Sequence, residues 1–407
     1  MKWWFLYMAA PLSSLKILDF STLLPGPCAT MMLADMGAQV LRIESPTRTD
    51  LLRVVPPMVG EVSASHAYLN RGKRSLTLDL KQPQAIDIVR KLILEYDILV
   101  EQFRPGVMQR LGLDYETLKA INPRLIYCSI TGYGQSGPYR DRPGHDINYL
   151  ALAGVSSYSG RVESGPAPFG VQTADVAGGS HHAVMGILAA VVQRQLNDEG
   201  RRIDISMSDA ALSMNHMAMA GYLATGEDPQ LEAEILNGGG CYDYYRTQDG
   251  RYLSVGALEP QFAEALCRTL EIPHMLALML SPREQDRQAS KQKLVEIFLG
   301  KTLAEWERIF ASVDACVEPV LTLSEAEKHP HFNGREMFCQ VSDAEGVSRK
   351  QLASPIKFEG DAFVPGRAGA ALGQHSREVL TELGFSDDEI NALMEQGVAS
   401  SPKRLSQ

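Results

Sequence analysis

His145 stands in Gly144-His145-Asp146-Ile147-Asn148-Tyr149, just after the loop Gly132-Tyr133-Gly134-Gln135-Ser136-Gly137-Pro138. An imidazole titrates near neutrality, at about 6.5, so a loop histidine at a strand end suits acid-base work; a structural hydrogen-bonder is the alternative. Asp175 lies in Gln172-Thr173-Ala174-Asp175-Val176-Ala177-Gly178-Gly179-Ser180, directly ahead of an apolar helical run. It is either a helix N-terminal acid, which the dipole favours, or a carboxylate aimed into a site whose small neighbours admit a ligand. Glu259, in Gly256-Ala257-Leu258-Glu259-Pro260-Gln261-Phe262, likewise reads as a helix-start acid or something more. His181 and His182 read as helix residues, and nothing in the chain spells a metal site.

A second chemistry is suggested by two cationic segments, Asn70-Arg71-Gly72-Lys73-Arg74 and Phe103-Arg104-Pro105-Gly106 with Arg110. Guanidinium forks and a lysine point charge both pair with phosphate oxygens. Solvated charge runs are the plain alternative. With 39 Lys plus Arg against 49 Asp plus Glu, net charge -10, two such clusters at sheet edges point to an anionic cofactor with several phosphates. The same acidic balance argues against nucleic acid as the main ligand.

The elements that must position these residues begin with a strand over 15–20, the turn Pro25-Gly26-Pro27, a helix over 28–36 stopped by Gly37, and a strand over 39–44. That is a βαβ unit. Strands over 75–80, 98–103, 125–131 and 203–207 and helices over 85–95 and 182–195 continue the alternation, which implies an α/β fold with a parallel sheet covered by helices. An acidic residue closing the first βαβ, here Glu44, is also how a nicotinamide-binding domain begins. The glycine fingerprint G-x-G-x-x-G is replaced by Leu24-Pro25-Gly26-Pro27-Cys28-Ala29, which argues against that reading. The methionine-rich helical stretch 210–226 and the break Asn237-Gly238-Gly239-Gly240 mark a smaller domain over 225–330, with a strand over 252–256 and helices over 260–270, 291–298 and 303–312. Residues 1–224 form the first part of the large domain. Residues 331–407 return to it through one or two helices over 377–396, with Leu380, Leu383, Ile390 and Leu393 as the apolar stripe.

At 407 residues, with 45% hydrophobic, 22% charged and 7% aromatic residues, the chain has the composition of an ordinary soluble enzyme or binding protein of two or three domains. The six cysteines form no C-x-x-C pair, which fits reduced thiols and a cytoplasmic protein. The apolar start, Trp3-Trp4-Phe5-Leu6, is too short to span a bilayer and reads as an extension ahead of the first strand; no membrane partner is expected.

Taken together these segments resemble the family III CoA-transferases and, within them, the α-methylacyl-CoA racemase branch. The resemblance runs from Pro11-Leu12-Ser13 to Gly373-Gln374-His375-Ser376. It is carried by the 19–44 unit, the Asn70 to Arg74 cluster, Phe103-Arg104-Pro105-Gly106, the Thr131 to Pro138 loop and Asp175 before Gly178-Gly179. The segments closest to the racemase branch are Gly144 to Tyr149, Glu259-Pro260-Gln261-Phe262 and Asp314-Ala315-Cys316-Val317-Glu318-Pro319-Val320. The resemblance implies a Rossmann-like large domain, a smaller α+β domain and a homodimer of interlocked subunits. It makes His145 and Asp175 the catalytic bases, with Glu259 of the partner chain orienting His145 and Asp146 supporting the site. Arg71, Lys73, Arg74, Arg104 and Arg110 would meet the phosphates of coenzyme A, which enters as part of the substrate, and Phe103 would border its adenine. Two departures from relatives concern the nucleotide: Ser45 where a basic residue is common, and Gln102 where asparagine is common.

The implied reaction is inversion of the α-carbon of a 2-methylacyl-CoA thioester, one base removing the proton from one face and the other returning one to the opposite face. It needs no metal or redox cofactor. The enolate oxygen also requires stabilisation, expected from backbone donors near Asp175 and the following helix start, or from the loop of Gly238, Gly239 and Gly240. The alternative within the family is transfer of CoA between carboxylic acids, with Asp175 as a nucleophile carrying a mixed anhydride. Transfer has no evident need for a histidine supported by Glu259, which favours isomerisation. A non-catalytic acyl-CoA-binding protein is the third reading. Met207, Met214, Met217, Met219, Tyr222 and Tyr242 are candidates to line the acyl group, or ordinary packing residues.

Overall fold

The structure is a computed structural model and describes residues 10–59, 62–360 and 362–402; the apolar N-terminal run and the last residues, 403–407, lie outside that set. Six strands, β1 (Lys16–Asp19), β2 (Gln39–Glu44), β3 (Lys73–Thr77), β4 (Ile98–Glu101), β5 (Ile126–Thr131) and β6 (Arg202–Ser206), form a parallel sheet in the order β3-β2-β1-β4-β5-β6. Central strands such as β4 are buried along their whole length, as expected where helices cover both faces. The order reverses between β1 and β4, so the connections leaving their carboxyl ends run to opposite sides and open a crevice.

Helix α1 (Pro25–Asp35) begins at Pro25, three residues before the expected start, because a proline in the first turn needs no partner for its missing N–H. Strand β4 ends at Glu101 rather than 103, where the side chain turns back to accept the Phe103 N–H at 2.8 Å. Helix α2 (Pro83–Leu92) sets Ile88, Val89 and Leu92 in one apolar core with Leu18, Leu41, Leu76 and Leu99. An eight-residue π-helical segment, Ala174–His181, runs straight into helix α3 (His182–Asn197). Together they make 24 residues, with an 18-residue window of mean hydropathy 1.2, long and apolar enough to cross a membrane by length and composition. Here Ala183, Val184, Ile187 and Ala190 are buried, and Gly186 lets the helix approach Ile203 of β6.

The chain divides into two compact units, and not at the expected boundaries. One contains residues up to Tyr149, 171–211 and 331 onward; the other contains 150–170 and 212–330. Residues 150–170 join the second unit because its polar side chains hold them. Asn215 donates to the Ala153 carbonyl at 3.0 Å, Asn237 to the Tyr158 carbonyl at 3.0 Å, and Arg161 pairs with Asp243 at 2.6 Å and Glu232 at 2.9 Å. The expected helix over 210–226 breaks at Met214 and Asn215 into two, Met207–Ser213 and His216–Thr225.

The second unit packs an antiparallel sheet of β7 (Asp243–Arg246), β8 (Tyr252–Val255) and β9 (Val317–Pro319) against α4 (Pro260–Thr269), α5 (Glu284–Phe298) and α6 (Leu303–Phe310). Tyr245, Phe298, Trp306 and Phe310 stack at its centre. In the first unit the C-terminal helices α7 (Ser376–Glu382) and α8 (Asp387–Glu395) bring Leu380, Ile390 and Leu393 onto the core under the sheet. Backbone bonds from His375 to Ser75 (3.0 Å) and from Asp79 to Val398 (2.8 Å) fix them beside β3.

Candidate active site

The first unit brings His145, Asp146 and Asp175 together. His145 is exposed at the start of the short helix Asp146–Leu152, its own N–H donating to Asn148 Oδ1 at 3.0 Å. Asp175 is half-buried in the first turn of the π-helical segment. Asp146 joins the two: its Oδ1 accepts the backbone N–H groups of Ala174 at 2.6 Å and of Asp175 at 3.1 Å. The side chain next to His145 therefore sets the backbone that carries Asp175.

Burial pushes the Asp175 carboxyl up to about 6, and the negative charge of Asp146 pushes the same way, while His145 pulls it down. That opposing pull places the imidazole within electrostatic reach of the carboxyl. A carboxyl held near neutrality beside an imidazole can either accept or supply a proton at working pH.

Two expectations about donors and glycines are corrected. Of the backbone donors expected near Asp175 for an enolate oxygen, the N–H groups of Ala174 and Asp175 are occupied by Asp146. Gly178 and Gly179, read as making room for a ligand, instead make room for neighbouring elements. A Cβ on Gly179 would lie 2.9 Å from Pro25 Cβ and 3.2 Å from Met207 Sδ, and one on Gly178 would lie 3.3 Å from Ala210 Cβ. Ser180 strengthens the same contact, donating to the Pro25 carbonyl at 2.7 Å. The π-helical turn bearing Asp175 is thus fastened to the start of α1; such widened turns recur at functional sites.

Tyr149, which the sequence did not single out, holds the loop bearing His145. It is buried and donates its hydroxyl to the Gly144 carbonyl at 2.5 Å, and its ring fills the space that a Cβ on Gly132 or Gly144 would need, at 2.6 and 2.7 Å. Its phenol is raised well above the ordinary value by burial and by the Asp175 charge, so it is a neutral donor. The signal available in sequence was its spacing four residues after His145, one helical turn.

Glu259 belongs to the second unit, exposed at the N-cap of α4, where its carbonyl accepts the N–H groups of Phe262 and Ala263 at 3.0 Å. Its charge, with those of Asp314 and Glu318, adds to desolvation in raising the Cys316 thiol.

For three of the six expected nucleotide contacts the structure gives another role. Arg71 is 1% exposed, forks onto Asp35 at 2.9 and 2.5 Å, donates to Gln351 Oε1 and the Leu352 carbonyl, and lies over the ring of Tyr68. Lys73 directs Nζ to Asp19, the Pro27 carbonyl and Asn70 Oδ1 at 3.2, 2.9 and 3.1 Å, which uses all its protons. Arg74 pairs with Glu378 and Glu382 on α7. These are internal ties at the edge of the sheet. Arg104 and Arg110 remain exposed at the carboxyl end of β4, and Phe103 packs one side of its ring on the core. Gln102 closes the crevice between β1 and β4 by accepting the Gly26 N–H at 3.1 Å. Glu44, the acid where a dinucleotide domain would hold a ribose, is buried on Arg53 and Arg42. Ser45 Oγ accepts the Thr47 and Arg48 N–H groups in a tight turn.

The family model for CoA-transferase family III matches residues 12–376. The chain is 38% identical over 400 residues to the α-methylacyl-CoA racemase of Homo sapiens, covering 96% of this chain and 98% of that protein. It is 34% identical over 413 residues to an acyl-CoA transferase of Fusarium pseudograminearum, covering 95% and 88%. Among solved structures, a CAIB/BAIF family protein from Brucella suis superposes with a TM-score of 0.79 at 30% identity, over 92% of this chain and all of that one.

Proposed function

The chain belongs to CoA-transferase family III, and from that membership we propose that it is a racemase of 2-methylacyl-CoA thioesters. The observation that carries the reading is that Asp146, the neighbour of His145, bonds the turn bearing Asp175, whose carboxyl is raised to about 6. One group takes the α-proton, the thioester becomes an enolate, and the conjugate acid of the other returns a proton on the opposite face. Asp146 holds the Asp175 turn in place, and Glu259 of a partner chain orients His145 in an interlocked homodimer. Arg104, Arg110 and Phe103 hold the coenzyme A portion of the substrate; no metal or redox cofactor takes part. The six unpaired cysteines support a reducing compartment such as the cytoplasm.

The transferase alternative uses Asp175 as a nucleophile, which must be ionised to attack. A carboxyl raised toward neutrality suits proton exchange better, and the transfer scheme leaves His145 without a task. The deciding experiment is proton NMR of a (2R)-2-methylacyl-CoA in D₂O, with and without a free carboxylic acid acceptor. The expected result is loss of the α-proton signal with inversion, independent of the acceptor and abolished in His145→Ala. New thioester formed from the acceptor without α-exchange would establish transfer instead.

A further inference from the structure

A cavity of about 310 Å³ lies on the face of the large sheet opposite α3 and its π-helical start. The strand register fixes that face. Ile203 and Ile205 of β6 meet Gly186 of α3, so Arg202 and Asp204 point the other way. Asp204 pairs with Ser129 of β5, which pairs with Glu101 of β4, and Arg202 pairs with Tyr127. Three adjacent strands thus present a polar row on a face otherwise built of leucine and tyrosine. Neither His145 nor Asp175 lines this cavity.

Its lining is rich in donors. Arg104, Arg140 and Arg202 border it and are exposed, Arg140 with Asp141 at 3.6 Å. Gln135 accepts from Arg202 Nη2 at 3.4 Å through Oε1, which leaves its amide Nε2 buried with no hydrogen-bond partner among the described residues. Ser129 is 1% exposed, and its hydroxyl lies beside Glu101 without closing a hydrogen bond of normal geometry. Glu101 is buried, accepts the Phe103 N–H at 2.8 Å, and is pushed up to about 7 by desolvation, so near neutrality it carries a proton much of the time. Of the other acids nearby, Asp114 caps Thr117 at 3.2 and 2.8 Å and Asp204 accepts the Gln135 N–H at 3.2 and 3.0 Å, while Glu116 stands exposed at the cavity's border. Buried donors without acceptors are costly unless a ligand or water supplies the acceptor oxygen.

We propose that this cavity is a binding site for a phosphate-type oxyanion, gripped by Arg104, Arg140 and Arg202, with the Gln135 amide and the Ser129 hydroxyl as further donors. Guanidinium forks match the tetrahedral oxygens of such an anion, and the volume lies at the lower end of the range for small-ligand pockets. The anion has two possible sources, free phosphate in solution or a phosphate of a bound coenzyme A nucleotide. The site itself rests on this cavity and not on the racemase assignment.

The test is titration of the full chain with inorganic phosphate by calorimetry and ³¹P line broadening, at constant ionic strength with chloride as the control anion. Saturable one-site binding in preference to chloride is expected, weakened about tenfold or more in Arg202→Ala and in Arg140→Ala. Both arginines are at the surface, and unchanged circular dichroism and thermal midpoint would show that the variants are folded. Added coenzyme A that displaces the phosphate, where dephospho-coenzyme A does not, identifies the nucleotide as the source; binding unchanged by both identifies free anion. No saturable binding by 20-fold excess over about 1 mM protein, or equal binding in folded variants, overturns the site. α-Exchange in the Arg202→Ala enzyme reads the racemase assignment separately.

Discussion

At the scale of single residues, the proposed racemisation makes Asp146 act on Asp175 in two ways. Its Oδ1 supplies the hydrogen bonds that set the turn, while its charge helps hold the Asp175 carboxyl up at about 6. Asp175 must be ionised to act as the base, so kcat/KM should fall tenfold per pH unit below about 6, where its carboxyl is protonated. The equilibrium between epimers does not depend on pH, so this limb must be the same from either epimer; a rate that stays flat down to pH 4.5 would remove Asp175 as one of the two bases. Asp146→Asn keeps an acceptor and removes the charge. Its acid limb should move to lower pH with little loss of kcat, whereas Asp146→Ala, which leaves two N–H groups unpaired, should lose both kcat and stability. Initial rates of α-deuteration from pH 4.5 to 8 read both variants. Asp175→Asn should lower kcat by about 10²- to 10⁴-fold with KM little changed, the contribution expected of a general base.

At the scale of elements, the contact between the start of α1 and the π-helical turn determines where Asp175 sits. The rigid ring of Pro25 and the side chain of Met207 leave no room for a methyl group on Gly179. Gly179→Ala should therefore destabilise the protein by about 1–3 kcal/mol, read as a lower urea midpoint, and should reduce kcat more than a remote substitution of equal stability cost. Normal kcat in a destabilised variant would mean that the turn does not depend on this contact. Sequence periodicity located the helix after residue 182 and the acid ahead of it. It could not locate the widened turn, because a π segment differs from an α-helix in its hydrogen-bond register and not in its apolar pattern.

At the scale of the whole molecule, the cationic cluster around Lys73 stabilises the sheet by burying charge in pairs. Asp19 and Glu44 are both held below their ordinary values, against desolvation, by Lys73 and Arg42 and by Arg42 and Arg53 respectively. Each carboxylate therefore contributes stability that is present above its unfolded value, 3.8 or 4.5, and is lost as pH falls through its lower folded value. Acid unfolding followed by circular dichroism should accordingly have its midpoint below pH 4. Lys73→Met leaves the Asp19 charge buried without its partner and should cost about 3–5 kcal/mol in urea denaturation. If that variant unfolds like the parent and only its KM for acyl-CoA rises, Lys73 acts on the nucleotide after all.

What the sequence determined by itself was local and periodic. The alternation of apolar runs placed the βαβ units, the missing glycines argued against a dinucleotide loop, and the residue types around His145 and Asp175 marked proton chemistry. None of these needs a partner distant in the chain. The tertiary structure decided everything that depends on which groups meet. Arg71 and Arg104 are both arginines within two residues of a glycine and look alike in sequence. One is paired with Asp35 inside the protein and the other stands exposed beside a cavity, because charge pairing and desolvation are settled by neighbours that lie 36 residues away, or by none at all. Asp146 and Tyr149 likewise acquired their roles only when the fold brought Ala174 to one and packed Gly132 against the other. Position along the chain fixes backbone preference and charge, whereas the energy of a site arises from contacts between segments that only folding joins.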